Sequence, residues 1–185
     1  MASRADNGGK MGRRPWRIIG WGTAAFLLIL PYIAGAPWTG SDYVFAAAMF
    51  GIVGGLIELA VRSSRDPWYR AGALVAVAAS FLLVWVNGAV GIIGSEDNSA
   101  NLMFLGVIAI ALGGSIAVRF RARGMARVMA VAAVAEALVA LPVVAMGLGA
   151  QQPPGVAGVL ILIGGFTGMW AVSALLFRKA AQAAA

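Results

Sequence analysis

Two acidic residues, Glu58 and Glu136, lie within long apolar stretches of this sequence and are the side chains best placed to do chemistry. Ionisable groups at such positions in membrane helices are costly and usually functional. Glu58 precedes Arg62 by four residues, which places both side chains on one helical face, so we expect an ion pair. Glu136 follows Arg127 by nine residues, about 13 Å of helix, and no basic residue lies at that depth. Glu136 is therefore the main candidate for a functional buried carboxyl.

The surroundings of Glu136 are indicated by residues on its helical face and at its depth. Small residues on that face predict close packing against another helix; they are Ala132, Ala133 and Ala140. Ser80 and Thr167 lie about 15 to 16 Å from the basic ends of their own segments, which makes them candidate hydrogen-bond partners. Because burial without a cation disfavours a carboxylate, we expect a neutral acid. Two interpretations stay open: a proton or cation relay through Glu136, Ser80 and Thr167, or a buried hydrogen bond between helices.

Several classes of chemistry are excluded because the sequence contains no histidine and no cysteine. Zinc sites, haem ligated by His or Cys, iron–sulfur clusters and Ser-His or Cys-His catalysis all need those residues. The two lysines, Lys10 and Lys179, lie outside the apolar stretches, so a Schiff base within a helix is excluded as well. We expect no catalytic residue, no cofactor and no metal, and we predict that the protein is not an enzyme.

An outer polar cluster follows the third apolar segment and consists of Asn87, Glu96, Asp97, Asn98 and Asn101. Carboxylate and amide oxygens are the ligands that Ca²⁺ and Mg²⁺ prefer, but this spacing matches no calcium-binding loop. Asn98 or Ser99 would serve equally well as the cap of the following helix. We favour this structural role over a metal site.

Regularly spaced glycines predict close helix packing at three places. Gly88, Gly91 and Gly94 recur every third residue and predict a smooth face at the end of the third segment. Two further pairs are spaced four apart, Gly51 with Gly55 and Gly164 with Gly168. Such pairs permit tight crossings within one chain or between subunits. We expect packing within the chain, because its helices must already find partners.

The elements that carry these residues follow from composition. Hydrophobic residues make up 61% and charged residues 11% of the chain, against roughly 45–50% and 25% in soluble domains. Six apolar segments alternate with short polar breaks, and each is about as long as a helix that crosses a hydrocarbon core. They cover residues 18–36, 43–61, 71–93, 102–118, 128–148 and 156–177. The sequence predicts an all-α membrane protein, a bundle of six transmembrane helices.

Orientation follows from the fourteen Lys and Arg residues. They occupy the amino-terminal region, the second and fourth loops and the carboxyl-terminal region, whereas the other three loops have none. The positive-inside rule therefore predicts that both termini are cytoplasmic. The expected organisation is a basic tail over residues 1–17, a single transmembrane domain over 18–178 and a short tail over 179–185. The basic start and first apolar segment resemble a secretory signal, but the length of that segment favours a retained helix.

The net charge of +7 does not indicate a nucleic-acid partner, because the charges flank the apolar segments and form no single patch. One basic run can contact anionic lipid head groups at the cytoplasmic face, or serve only as a topology determinant; it contains Arg119, Arg121, Arg123 and Arg127. The other expected partners are the lipid bilayer and either a second copy of the chain or another membrane protein.

The stretch from Trp85 to Asn98, continued by Asn101, Leu102 and Met103, resembles a segment of small bacterial inner-membrane proteins of unassigned function. The resemblance implies a location in the inner membrane and nothing about activity. We therefore expect a non-enzymatic accessory or interaction protein. The alternative is a small proton- or cation-coupled transporter or channel that uses Glu136.

Overall fold

The computed structural model describes residues 15–183, with side chains from Arg17 onward, and this part of the chain contains α-helices and no strand. The helices are α1 (Pro15–Ile33), α2 (Gly40–Ser63), α3 (Pro67–Ala89), α4 (Leu102–Ala117), α5 (Ala122–Leu138), α6 (Ala140–Met146) and α7 (Gly155–Ala183). A 3₁₀-helix, Ser99–Asn101, leads into α4. α5 and α6 together form one apolar stretch, Ala122–Met146.

Five helical stretches within the described residues are long and apolar enough to cross a membrane. They are Gly40–Ser63, Pro67–Ala89, Ser99–Ala117, Ala122–Met146 and Gly155–Ala183. The protein is therefore an all-α, multi-pass membrane protein. A sixth helix, α1, corresponds to the first predicted segment, but its apolar part, Arg17–Ile33, is shorter. Four basic residues of the predicted amino-terminal tail lie outside the described residues: Arg4, Lys10, Arg13 and Arg14.

Helix boundaries differ from the prediction at two places. α3 ends at Ala89, before the predicted end at residue 93, and Gly91 just beyond it has a φ of 73° that an α-helix does not use. α7 continues to Ala183, through most of the stretch predicted as a carboxyl-terminal tail. The sequence after Lys179 is rich in alanine, the best helix former, and contains no helix breaker.

The chain forms two compact units, residues 1–54 and 55–185, and the division falls within α2. In the first unit, Thr39 and Asp42 form a capping arrangement at the start of α2. The backbone N–H and the hydroxyl of Thr39 both donate to the Asp42 carboxylate, at 2.7 and 2.8 Å. The Trp21 ring lies against Gly54, where an added Cβ would meet the ring at 2.7 Å. The absence of a side chain at Gly54 therefore allows α1 to approach α2.

The second unit is a helix bundle organised around α7. α7 packs against α5, α3 and α6, and α4 packs against α5 and α3. Glycines permit two of these contacts: an added Cβ at Gly72 would meet Phe177 of α7 at 3.1 Å, and one at Gly114 would meet Val128 of α5 at 2.7 Å. Large side chains fill the space between the helices, and the largest fully buried ones are Trp170, Phe104, Phe177 and Leu83.

Tyr69, in the first turn of α3, joins three elements at one end of this bundle. Its hydroxyl donates to the Phe120 carbonyl in the α4–α5 turn at 2.8 Å, and its ring packs edge-to-face on Phe177 of α7. α3 begins with the cap residue Asp66, which accepts from the Tyr69 N–H, and with Pro67 in the first turn. We call this the basic end of the bundle, because it carries Arg62, Arg65, Arg70, Arg119, Arg121, Arg123, Arg127, Arg178 and Lys179.

Two arginines stabilise the carboxyl-terminal end of α2. Arg62 Nη2 lies 2.8 Å from Glu58 Oε2, so the predicted ion pair is confirmed. Arg70 of α3 donates from Nε to the Ser64 carbonyl at 2.9 Å and from Nη2 to the Val61 carbonyl at 3.2 Å. Carbonyls at the end of a helix have no partner within it. Arg70 therefore satisfies two of them and joins α2 to α3.

The fifth apolar stretch is interrupted close to Pro142. Pro142 has no N–H to donate to the carbonyl four residues earlier, and the helix breaks at Val139, between α5 and α6. The Val139 N–H donates to the Glu136 carbonyl at 3.1 Å, which is the tighter bond of a 3₁₀ turn. Glu136 therefore lies in the last turn of α5, directly before the break.

The buried side chain of Asn101 organises the loop between α3 and α4. Its Oδ1 accepts from the backbone N–H groups of Ile92 at 3.2 Å and Ile93 at 2.8 Å, and its Nδ2 donates to the Ser95 carbonyl at 2.8 Å. These bonds fold the loop inward, and both isoleucines are fully buried. The loop is thus part of the core of the second unit.

The glycine predictions are wrong at all three places. Gly91 and Gly94 lie in the loop, with φ of 73° and 74°, a conformation that residues with a Cβ rarely adopt. A side chain at Gly94 would collide with Gln152 in the loop before α7, so these two loops pack together. The two spaced pairs have no atom of the described residues within 4 Å of an added Cβ, so they do not pack closely on another described helix: Gly51 with Gly55, and Gly164 with Gly168.

Replacing Asn101 with Ala is expected to lower the stability of the purified protein by about 3 kcal/mol, because buried backbone groups lose their partners. Thermal unfolding in detergent measures the effect. Asn98→Ala is the matched control, since it removes a single cap bond to a backbone N–H and should cost about 1 kcal/mol. Equal losses of stability in the two variants would contradict the organising role of Asn101.

Candidate functional site

Glu136 lies on the face of α5 that packs into the bundle, and its side chain is 0% exposed. Buried residues recur along this face at intervals of three and four: Met125, Val128, Met129, Ala132, Ala133 and Glu136. The prediction of close packing is therefore confirmed for Ala132 and Ala133, whereas Ala140 is only half-buried and belongs to α6. α7 is the main neighbour of α5, and Trp170 of α7 interacts with the carboxyl.

Neither carboxyl oxygen of Glu136 has a hydrogen-bond partner among the described residues. The indole N–H of Trp170 is close to the carboxyl but does not reach hydrogen-bond geometry, and it has no other partner. Thr167, one turn before Trp170, has a buried hydroxyl that is unpartnered as well. The predicted hydrogen bond between Glu136 and Thr167 is thus not formed. Each unsatisfied buried group costs about 1–3 kcal/mol, and the three such side chains lie within one helical turn of each other in depth.

Ser80, the other predicted partner of Glu136, bonds within its own helix. Its hydroxyl donates to the Ala76 carbonyl at 3.0 Å, and the bond to Glu136 is not formed. The two buried serines also have partners: Ser115 donates to the Ala111 carbonyl of its own helix at 2.6 Å, and Ser173 of α7 donates to the Gly72 carbonyl of α3 at 2.8 Å. Glu136 therefore differs from the serines of the bundle, which have partners.

A cavity of about 60 Å³ extends from the basic end of the bundle to Trp170. Ser63, Tyr69 and Phe120 line it at the basic end, and Ser80 lines it at the depth of Trp170. A space larger than roughly 15 Å³ can hold water when polar groups line it. Glu136 does not line the cavity, but Trp170 contacts both. The indole therefore borders the cavity on one side and the carboxyl on the other.

The outer polar cluster is a structural loop. Asn98 accepts a backbone N–H at 3.0 Å and caps the 3₁₀-helix that leads into α4. The predicted cap on α4 itself is not formed, because its N-cap residue is Asn101 and makes no side-chain cap bond. Asn87 donates from Nδ2 to a carbonyl of its own helix at 2.7 Å, and Asn101 organises the loop as described above. Glu96 and Asp97 are exposed. Within residues 15–183, no three acidic, His or Cys side chains are arranged to hold a metal ion.

The arginines predicted to contact lipid surround the start of α5. Arg119 lies in a left-handed turn, with φ of 51°, and Arg121 directly precedes the helix. Arg123 and Arg127 are one turn apart on α5 and border two grooves. One groove follows the α4–α5 turn and includes Arg119 and Arg121. The other lies between α5 and α7 and includes Arg178.

The sequence did not reveal Trp170 as a neighbour of Glu136, nor the place of Arg178 in the groove between α5 and α7. Trp170 precedes Arg178 by eight residues, or about 12 Å of helix, so it lies at nearly the depth of Glu136. Their similar depth would have predicted a contact between Trp170 and Glu136, but only if α5 and α7 were known to be neighbours. The sequence does not state that α5 and α7 are in contact.

No protein-family model matches this chain. Comparison with curated proteins and with solved structures finds no similar protein either.

The site has the properties of a protonatable group held in an apolar bundle. Glu58 is engaged by Arg62 near the basic end, so the carboxyls of Glu58 and Glu136 do not form an acid–base pair of the kind that hydrolytic enzymes use. A lone buried carboxyl can take up and release a proton or a small cation. Such a carboxyl can equally accept a hydrogen bond from a molecule that enters the bundle.

Replacing Glu136 with Leu is expected to leave the stability unchanged or to raise it by about 1–3 kcal/mol, because two unpartnered oxygens leave the core. Thermal unfolding of the purified variant in detergent tests this. Ser173→Ala is the matched control, since it removes a buried hydroxyl that has a partner and should cost about 1 kcal/mol. A Leu variant that unfolds well below the wild type would show that the carboxyl is needed for folding.

Proposed function

We propose that the chain is a non-enzymatic protein of the bacterial inner membrane that acts by associating with another membrane-spanning chain. All six apolar helices, α1 included, cross the membrane in this proposal, and both termini are cytoplasmic. The charge distribution supports this orientation, because the described Lys and Arg residues from Arg62 onward belong to one end of the helix bundle.

The accessory role is supported by one observation, an exposed face of α7 that carries three glycines. Gly164, Gly165 and Gly168 have no neighbouring atom within 4 Å of an added Cβ. Ile161 and Val172 flank them on the same face and are exposed. Glycine in a helix is less stable than alanine by about 1 kcal/mol. Contact with lipid does not offset this difference. In membranes, small residues are enriched where two helices approach closely.

We infer that this glycine face receives a transmembrane helix of a second chain. The double substitution Gly164→Leu with Gly168→Leu should reduce association about ten-fold or more, equivalent to about 1.4 kcal/mol, because the added side chains hold the helices apart. A photo-crosslinking amino acid at position 161 measures association in bacterial membranes. The wild type should give a protein adduct, and its mass identifies a second copy or another protein.

Val172→Leu is the control for this experiment, since it changes a side chain on the same face that is already large. It should leave the adduct intact. The glycine variants should remain folded, because no described atom lies within 4 Å of a Cβ added at either position; their melting temperatures in detergent check this. Adducts with lipid alone in the wild type would exclude this face as an interface.

The unpartnered carboxyl favours a second candidate function, a small proton- or cation-coupled transporter or channel. Glu136 is fully buried without a bonded partner, and Trp170 connects it to the cavity from the basic end. Hydroxyl groups of Ser80 and Ser115 line that cavity. A group of this kind at membrane depth is typical of proton and ion pathways.

Proton flux in liposomes tests this second candidate. Liposomes that contain the protein and a pH-sensitive dye are given an imposed membrane potential. Wild-type protein should conduct protons, and Glu136→Gln should abolish the flux, because an amide does not exchange a proton in this range. Glu58→Gln is the control and should conduct normally. Equal flux in the wild type and Glu136→Gln, or none in the wild type, would remove proton conduction from consideration.

A further inference from the structure

A groove between α5 and α7 at the basic end combines a charged rim with a small-residue floor. The rim carries Arg123 and Arg127 of α5 and Arg178 and Gln182 of α7. The start of α5 and the end of α7 therefore contribute side chains to the same rim. The groove holds about 480 Å³, within the roughly 300–1,000 Å³ of ligand-binding clefts.

The three guanidinium groups of this rim have no carboxylate partner among residues 17–183. Arg123, Arg127 and Arg178 are exposed, and none of them forms an ion pair with the described residues. Two acidic residues, Glu58 and Asp66, lie near the basic residues in the sequence, but both have other partners. Glu58 pairs with Arg62, and Asp66 caps α3. The rim therefore carries a charge of +3 that the described chain does not neutralise, which favours an anion.

The floor of the groove is apolar. Ala130 and Ala174 lie three to four residues closer to the membrane centre than Arg127 and Arg178, about 5 Å along the helices. Leu175 lines the same part. Alanines on both helices leave a channel between them that an alkyl chain can enter. A soluble anion would make no use of this floor.

We propose that the groove binds an anionic phospholipid from the leaflet at the basic end. The phosphate lies between Arg127 and Arg178, Arg123 and Gln182 contact the head group, and the first acyl carbons run over Ala130 and Ala174. Basic pockets between membrane helices bind such head groups. This site goes beyond the proposed function, since it uses neither the glycine face nor Glu136.

Native mass spectrometry of the purified full chain tests the proposal. The probes are palmitoyl-oleoyl-phosphatidylglycerol and the phosphatidylcholine with the same acyl chains. The first phosphatidylglycerol should bind at least about ten-fold more tightly than the phosphatidylcholine. Each arginine near an anionic lipid contributes about five-fold, so the double substitution Arg127→Gln with Arg178→Gln should weaken binding about 25-fold.

Two further variants distinguish binding in the groove from nonspecific electrostatic attraction of anionic lipid to the basic end. Arg65→Gln removes the same charge at the same end but lies outside the groove, and it should change binding less than about two-fold. Ala130→Leu with Ala174→Leu keeps every charge and fills the floor, and it should weaken binding to the level of phosphatidylcholine. If Arg65→Gln weakens binding as much as Arg127→Gln, or if the leucine variant binds normally, the site does not exist.

Crosslinking with a photoactivatable phosphatidylglycerol gives a measurement that needs no variant. Peptide mapping of the wild-type adduct should place the lipid on α5 between residues 123 and 130 and on α7 between residues 174 and 182. Adducts spread over all exposed helices would overturn the proposal. Melting temperatures of the variants establish that each one is folded.

Discussion

The antiparallel contact between α5 and α7 is the interaction on which the second unit depends. α5 contributes mainly alanines, methionines and a valine, and α7 contributes large rings that include Phe166, Trp170 and Phe177. Small residues opposite large ones let the helices approach while the rings fill the remaining space. Lipid is as apolar as the helix surfaces, so this packing must provide much of the attraction between the helices. The same contact places Trp170 beside Glu136.

The bundle holds its polar groups in two different ways. The hydroxyls of Ser115 and Ser173 and the amide of Asn101 have partners, and each helps to fix a helix or a loop. Glu136 and Trp170 are buried as deeply and have none. A buried donor or acceptor without a partner costs about 1–3 kcal/mol. Glu136 and Trp170 therefore lower the stability of the bundle, whereas the partnered groups help to fix its helices and loops.

Much of the fold follows from the sequence, and much of the site does not. Six apolar segments gave six helical stretches, and the spacing of Glu58 and Arg62 gave their ion pair, because these properties are local. The glycine predictions failed because Gly91 belongs to a loop that Asn101 organises, and the partner of a glycine depends on the arrangement of helices. Trp170 was missed for the same reason: it reaches Glu136 only through a contact between two distant parts of the chain.

The two ends of the second unit differ in how they admit other molecules. At the end opposite the arginines, Ile92 and Ile93 are buried and Gln152 lies over Gly94, so the loops there close on themselves. The cavity and both basic grooves reach the other end. These openings therefore lie beside the arginines. A small amphiphile that partitions into the leaflet at that end would meet them directly, without crossing the rest of the bilayer.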